Sequence, residues 1–314
     1  MHEGRVMGGG VRSERSTNKL PAGERLESAL KRLARLLSLV RFSHSVFALP
    51  FALMMVVIVG GRQTVSIMQL ALLVVCVVAA RTAAMAFNRI VDADIDALNR
   101  RTMSREIPSG TVSKSEAWWL VIASVSVFET AALLLGKHCF VLTPVVVVVL
   151  LGYSALKRYT FLCHIVLGIA LGLAPGGVWY ALTASWSLAP LPLMAGVTLW
   201  VAGFDVLYSC QDREFDRAHG LSSIPASFGF SGAVWLAALL HLCAVVLLVL
   251  SGLVFSQGYL YQVGVGVFAL FLGSQHVTIK NRGLSSIDQV FFNRNGIASV
   301  LLLLFTLASS WLQH

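Results

Sequence analysis

Two short stretches of the chain put oxygen ligands at helical spacing. In "FNRIVDADIDALNRR" (87–101), Asn88, Asp92 and Asp96 fall at i, i+4 and i+8. Each step of four advances about 400°, so the three drift only about 80° around a helix, with Asp94 on the opposite side. In "FDVLYSCQDREFD" (204–216), Asp205, Tyr208, Asp212 and Asp216 fall at i, i+3, i+7 and i+11, again on one face, and Glu214 points away. Like charges at i, i+4 repel, so such a face calls for a cation. Oxygen ligands without His or Cys suit Mg²⁺. Arg81 precedes Asn88 by seven residues and Asp92 by eleven, which puts it on their face to within about 20° and about 10 Å deeper along the helix.

The elements carrying these faces are membrane spans. The chain of 314 residues is 57% hydrophobic and only 12% charged, against about 25% charged in ordinary soluble domains. Apolar runs near 43–60, 67–90, 115–135, 140–156, 161–183, 190–209, 230–253, 258–277 and 294–312 approach or exceed the roughly 20 residues that cross a bilayer. No alternating segments of the barrel type occur. The expected fold is therefore an all-α membrane protein, nine transmembrane helices bundled around a central cavity. Lys and Arg crowd 1–42, 89–114, 157–160, 210–229 and 278–294, while the intervening loops hold little beyond Arg62 and Lys137. That asymmetry predicts a cytoplasmic N-terminus, and the chain is expected to be a multi-pass inner-membrane protein. Both acidic faces then end on the cytoplasmic side. The net charge of +9 is mostly this topology signal. No nucleic-acid-binding motif accompanies it, and nucleic acid is not an expected partner.

Residues 1–24, rich in Gly, Ser, Arg and Asn, read as a disordered tail. Residues 25–41 place Leu26, Leu30, Leu33, Leu37 and Val40 on one face and Lys31, Arg32 and Arg35 on the other. This is the pattern of an amphipathic interfacial helix, or of a lead-in to the first span. Residues 42–314 form the nine-helix domain. The five cysteines contain no C-x-x-C pair and read as packing residues. His164, His241 and Glu129, lone polar residues within spans, are expected to make interhelical hydrogen bonds.

Basic groups complete the chemistry. Arg101, Arg105, Lys157 and Arg158 lie on the side of the acidic faces. Carboxylates, a divalent metal and Arg or Lys together suit a diphosphate, whose leaving charge they neutralise. A site at the lip of an apolar bundle suits a lipid chain on that diphosphate. The loops "REIPSG" (105–110) and "SSIPASFG" (222–229) echo each other, a weak internal repeat that suggests two halves framing one site.

With these residues in hand, the chain resembles the UbiA superfamily of intramembrane prenyltransferases. N-x-x-x-D-x-x-x-D (Asn88, Asp92, Asp96) and D-x-x-Y-x-x-x-D (Asp205, Tyr208, Asp212), extended to Asp216, look like its two signatures. "RRTMSREIPSG" is similar to its R-T-x-x-R-P-[LI]-x-x-G loop, with Glu106 where proline is usual, and "YSALKRYT" to its Y-x-x-x-K-R-x-T segment. "FSHSVFALPFA" and "SCQDREFDRAHGLSSIPASFG" look like bacterial quinone-pathway members, which prenylate 4-hydroxybenzoate or a hydroxynaphthoate.

The resemblance implies Mg²⁺ held by Asn88, Asp92, Asp212 and Asp216, with Asp96 completing the first cluster. It implies a polyprenyl diphosphate donor gripped by Lys157, Arg158, Arg105 and Arg101. Asp205 or Tyr208 would orient the ring or stabilise the allylic cation, and Arg81 would hold the carboxylate of an aromatic acid acceptor. The competing readings are another acceptor, a lipid-phosphate transporter and a CDP-alcohol phosphotransferase. The transporter should show paired discontinuous helices, and the phosphotransferase a D-G-x-x-A-R motif that is absent here.

Overall fold

A computed structural model describes residues 48–283 and 287–313, with the isolated positions 27, 32, 35, 36, 38 and 39; the side chains of 282 and 287–292 are not described. The proposed tail 1–24 and most of the proposed helix 25–41 lie outside these residues. Of that stretch, Arg32 Nε donates to Glu116 Oε1 at 2.7 Å and Leu39 is fully buried beside Met85 and Ala86.

The described residues are all-helical: α1 (Ala48–Gly60), α2 (Ile67–Leu98), α3 (Lys114–Leu135), α4 (Lys137–Leu156), α5 (Cys163–Thr183), α6 (Leu191–Ser209), α7 (Arg213–Ala218), α8 (Ile224–Val254), α9 (Tyr259–Arg282) and α10 (Ile287–Gln313). Eight of the spans, with α6 and α7 counted as one, are long and apolar enough to cross a membrane. The ninth predicted span corresponds to α1, which has 13 described residues and is buried along most of its length.

Local signals set the helix starts. Ser66 with Gln69 opens α2, and Ser113 with Glu116 opens α3, each pair forming a reciprocal capping box that satisfies orphan N–H groups. The chain runs α2 against α3, α5 against α6, α6 against α8, and α1 against α5 and α10. At the centre the Trp200 ring sits 5.0 Å from Phe51, 5.3 Å from Phe204 and 5.6 Å from Phe268. Its Nε1–H donates to Asn295 Oδ1 at 3.1 Å, so the buried indole leaves no polar group unsatisfied.

Three details position the site. First, α2 runs on to Leu98, past the apolar run that ends near residue 90, and so carries Asn88, Asp92 and Asp96 on one continuous helix. Second, the Asp205–Asp216 face is not one helix. A 3₁₀ turn at Cys210–Asp212 separates α6 from α7. Its tighter winding, about 120° per residue, breaks the expected α phase after Asp205 and Tyr208. Third, the two echoing loops end alike. Gly110 and Gly229 both have φ +73°, a conformation that penalises any side chain, and Gly229 kinks the start of α8.

Glycines also bring α5 onto α6. A Cβ on Gly168 would lie 2.2 Å from the Thr198 carbonyl oxygen, and one on Gly172 would lie 2.3 Å from Thr198 Oγ1. Small residues four apart are how membrane helices approach closely. Gly168→Ala forces the helices apart at an overpacking cost of about 1–3 kcal/mol. A melting temperature in detergent lowered by several degrees is expected, and an unshifted one contradicts this contact.

Candidate active site

A polar chamber of about 240 Å³ opens where α2, α4, α5 and α6 meet. Helix α2 supplies Arg81, Asn88, Asp92 and Asp96; the following loop supplies Arg101 and Arg105; the end of α4 supplies Tyr153 and Lys157; α6 and its 3₁₀ turn supply Asp205, Tyr208 and Asp212. Ten of the twelve candidate residues thus line one space. Asp216 and Arg158 do not. Asp216 is fully buried behind Lys157, and Arg158 Nη2 donates to the Val91 carbonyl at 2.5 Å.

The charges are interlocked across the chamber. Arg105 Nη1 lies 2.7 Å from both Asp96 oxygens. Arg101 forks onto Asp212, with Nε 2.9 Å from Oδ1 and Nη2 paired to Oδ2; its Nη1 donates to Tyr208 Oη at 3.0 Å. Asn99 Nδ2 adds a bond to Asp212 Oδ1 at 2.9 Å. Asn88 Nδ2 donates to Asp92 Oδ2 at 3.0 Å, so the first signature is tied along its own helix. Lys157 Nζ sits 2.8 Å from Asp216 Oδ1. Burial alone lowers the pKa of this ammonium; Asp216, with Asp212 and Asp92 beyond it, more than offsets that and raises it above the usual lysine value. Lys157 therefore holds a permanent positive charge between the two acidic faces.

The chamber does not stand alone. A second cavity of about 520 Å³ adjoins it, with Arg81, Tyr153 and Leu171 lining both. Its other walls are apolar, among them Leu73, Val77, Phe128, Leu150, Val178 and Trp179. Its volume is that of a small-molecule pocket, and its lining suits a hydrocarbon chain.

Among the described residues no three Asp, Glu, His or Cys side chains are gathered closely enough to hold a metal as they stand. The carboxylates are instead engaged with Arg101, Arg105, Lys157 and Asn88. The donor set nevertheless fits Mg²⁺. It is all oxygen, with no His or Cys among the candidate ligands, and Asn88, Asp92, Asp96 and Asp212 line the one chamber.

Comparison with known proteins decides the family. Residues 48–297 match the UbiA prenyltransferase family. The chain belongs to that family. The chain is 30% identical over 237 residues to a 4-hydroxybenzoate octaprenyltransferase of Pseudoalteromonas translucida, covering 73% of this chain and 79% of that protein. It is 29% identical to the enzyme of the same name from Actinobacillus pleuropneumoniae, covering 75% and 80%. Among solved structures, a UbiA homologue from Aeropyrum pernix superposes with a TM-score of 0.77 at 34% identity, covering 84% of this chain and 97% of that one. A UbiA homologue from Archaeoglobus fulgidus, solved with DMAPP and Mg²⁺, shares the fold with a TM-score of 0.69 at 20% identity, covering 88% and 99%.

As a UbiA-family prenyltransferase, the chain is a multi-pass membrane enzyme. Within it the lone polar residues diverge. His164 Nδ1 is 2.7 Å from Asp205 Oδ2 and His241 Nδ1 is 2.9 Å from His276 Nε2, both interhelical as expected. Glu129, half-buried on α3, makes no such bond among the described residues. Sequence reasoning gave no site role to Asn99, Tyr153 or His164. Tyr153 is the first residue of the "YSALKRYT" segment, and His164 lies four residues before Gly168 and eight before Gly172. That spacing marks the α5 face that meets α6.

Proposed function

We propose that this UbiA-family enzyme transfers a polyprenyl chain from its diphosphate to a ring carbon of a hydroxylated aromatic acid, 4-hydroxybenzoate or a hydroxynaphthoate, in quinone biosynthesis. The observation that carries this reading is the junction of the two cavities at Arg81. The charged chamber on one side suits a diphosphate, the apolar cavity on the other suits a prenyl chain, and a cation stands on the wall where the two reactants meet. The curated relatives named as 4-hydroxybenzoate prenyltransferases support the choice of acceptor.

Asn88, Asp92, Asp96 and Asp212, on the chamber wall, are the residues that would hold Mg²⁺, with Asp216 held behind Lys157 as a more distant carboxylate; the metal would neutralise the diphosphate charge as the leaving group departs. Lys157, Arg101 and Arg105 meet the phosphate oxygens with charge-assisted hydrogen bonds. Arg81 binds the acceptor carboxylate with its planar fork. The apolar walls exclude water while the allylic carbon is electron-deficient. That carbon bonds to the ring as its bond to diphosphate breaks. The ring then loses a proton and recovers its aromaticity. Asp205 is the better acceptor for that proton, because a carboxylate is a base and a phenol hydroxyl is not, and the Tyr208 oxygen already accepts a hydrogen bond from Arg101. The basic loops beside the chamber support a cytoplasmic opening in the inner membrane.

The test is product formation. Membranes bearing the protein, supplied with Mg²⁺, a polyprenyl diphosphate and 4-hydroxybenzoate or a hydroxynaphthoate, should yield the C-prenylated acid by mass. Uptake of the diphosphate without product would favour the transporter instead.

The bonding pattern separates two neighbouring cations. Lys157→Ala removes the ammonium between the acidic faces, and kcat/KM for the donor should fall about 10- to 100-fold, the worth of a hydrogen bond to a charged group. Arg158→Ala, which loses a bond to Val91, should cost much less. Steady-state kinetics with varied donor measures both, and equal losses in the two variants would contradict this assignment.

A further inference from the structure

The α5–α6 contact carries a buried histidine beside Asp205. His164 lies in the first turn of α5, with only 2% of its surface exposed. Its Nδ1 is 2.7 Å from Asp205 Oδ2, and its Nε2 is 3.3 Å from the backbone N of Ile224, the first residue of α8. A backbone N–H can only donate, so Nε2 presents its lone pair and the ring proton sits on Nδ1. That proton is then directed at the Asp205 carboxylate. The approach is possible because Gly168 and Gly172, on the same face of α5, let its backbone close onto Thr198.

We propose that His164 is a positioning residue for the transfer step, holding the Asp205 carboxylate in one orientation as the proton acceptor facing the bound ring. The proposal rests on the reading that the acceptor is a hydroxyarene and that Asp205 takes the proton. Asp205 keeps 27% of its side chain exposed and lines the chamber. Arg81 on α2 and Tyr153 on α4 are within electrostatic reach of it. Unrestrained, the carboxylate would be drawn toward Arg81, whose charge the acceptor needs. The Nδ1–H bond holds it off that path. The new C–C bond forms as the donor C–O bond breaks, and diphosphate leaves with that electron pair. The ring C–H bond then breaks, its pair returns to the ring, and the proton passes to Asp205.

The experiment compares His164→Ala and His164→Asn with the parent as full-length proteins in nanodiscs, with Mg²⁺, a polyprenyl diphosphate and 4-hydroxybenzoate. The Nδ2 of asparagine falls near the imidazole Nδ1 and donates the same bond. In His164→Ala, kcat should fall about tenfold or more while the donor KM stays within about twofold; in His164→Asn, kcat should recover to within about threefold of the parent. Parental kcat in His164→Ala, or equal impairment of both variants at parental melting temperature, overturns the proposal, because a merely structural tie would show in stability and not in this split. If His164→Ala does not fold, His164→Asn decides alone: near-parental kcat supports the proposal, and loss of kcat with parental melting temperature overturns it. If the parent prenylates no hydroxyarene acid but does prenylate another acceptor, the acceptor reading fails, and the two variants assayed on that acceptor still decide the role of His164.

Discussion

Asp92→Ala and Asp212→Ala abolish Mg²⁺-dependent prenyl transfer, while Asp94→Ala and Glu214→Ala leave it near the parental rate. Asp92 and Asp212 line the chamber. Asp94 is 83% exposed and paired with Lys114 at 2.9 Å, and the Glu214 side chain is 91% exposed. Metal-mediated charge stabilisation is worth several kcal/mol, so losing a ligand should lower the rate about a thousandfold. Asp212→Ala does further damage, since it also leaves Arg101 and Asn99 without the carboxylate that both engage. Transfer rates at saturating Mg²⁺, normalised to folded protein, measure all four. Full activity in Asp92→Ala, or loss in Asp94→Ala at unchanged protein level, would falsify the two-face site.

The second large effect belongs to Arg81. It lines both cavities, and its Nε is buried without a hydrogen-bond partner. An unsatisfied guanidinium N–H in that position is free to meet an acceptor's carboxylate. Arg81→Lys keeps the charge and loses the fork. It should raise the acceptor KM about 10- to 100-fold and leave the donor KM unchanged, since a charge-assisted hydrogen bond is worth about 1.5–3 kcal/mol. Arg81→Ala should exceed it. A phenol lacking the carboxylate should be used poorly by the parent and no worse by the variants. If the acceptor KM stays at its parental value in both variants, the carboxylate is held elsewhere and the acceptor class reopens.

Local periodicity and composition carry the part of this protein that can be read along the chain. Long apolar runs can satisfy their backbone in lipid only as helices, so the fold class and the nine elements were legible. Helical phase on one continuous element, α2, placed Arg81, Asn88, Asp92 and Asp96 along one face, and all four line the chamber. Phase failed where helix type changed: the 3₁₀ turn at Cys210–Asp212 leaves Asp216 buried behind Lys157 and off the chamber wall. Which cation meets which carboxylate depends on contacts between distant segments. Arg101 reaches Asp212 from 111 residues away, and nothing in the spacing distinguishes that pairing from one with Asp96. The fold also separates Lys157 from Arg158, adjacent in sequence but turned toward Asp216 and Val91 respectively. His164 shows the same limit. Its partners lie on α6 and at the start of α8, brought within reach by glycines whose missing side chains matter only when another helix is there to fill the space.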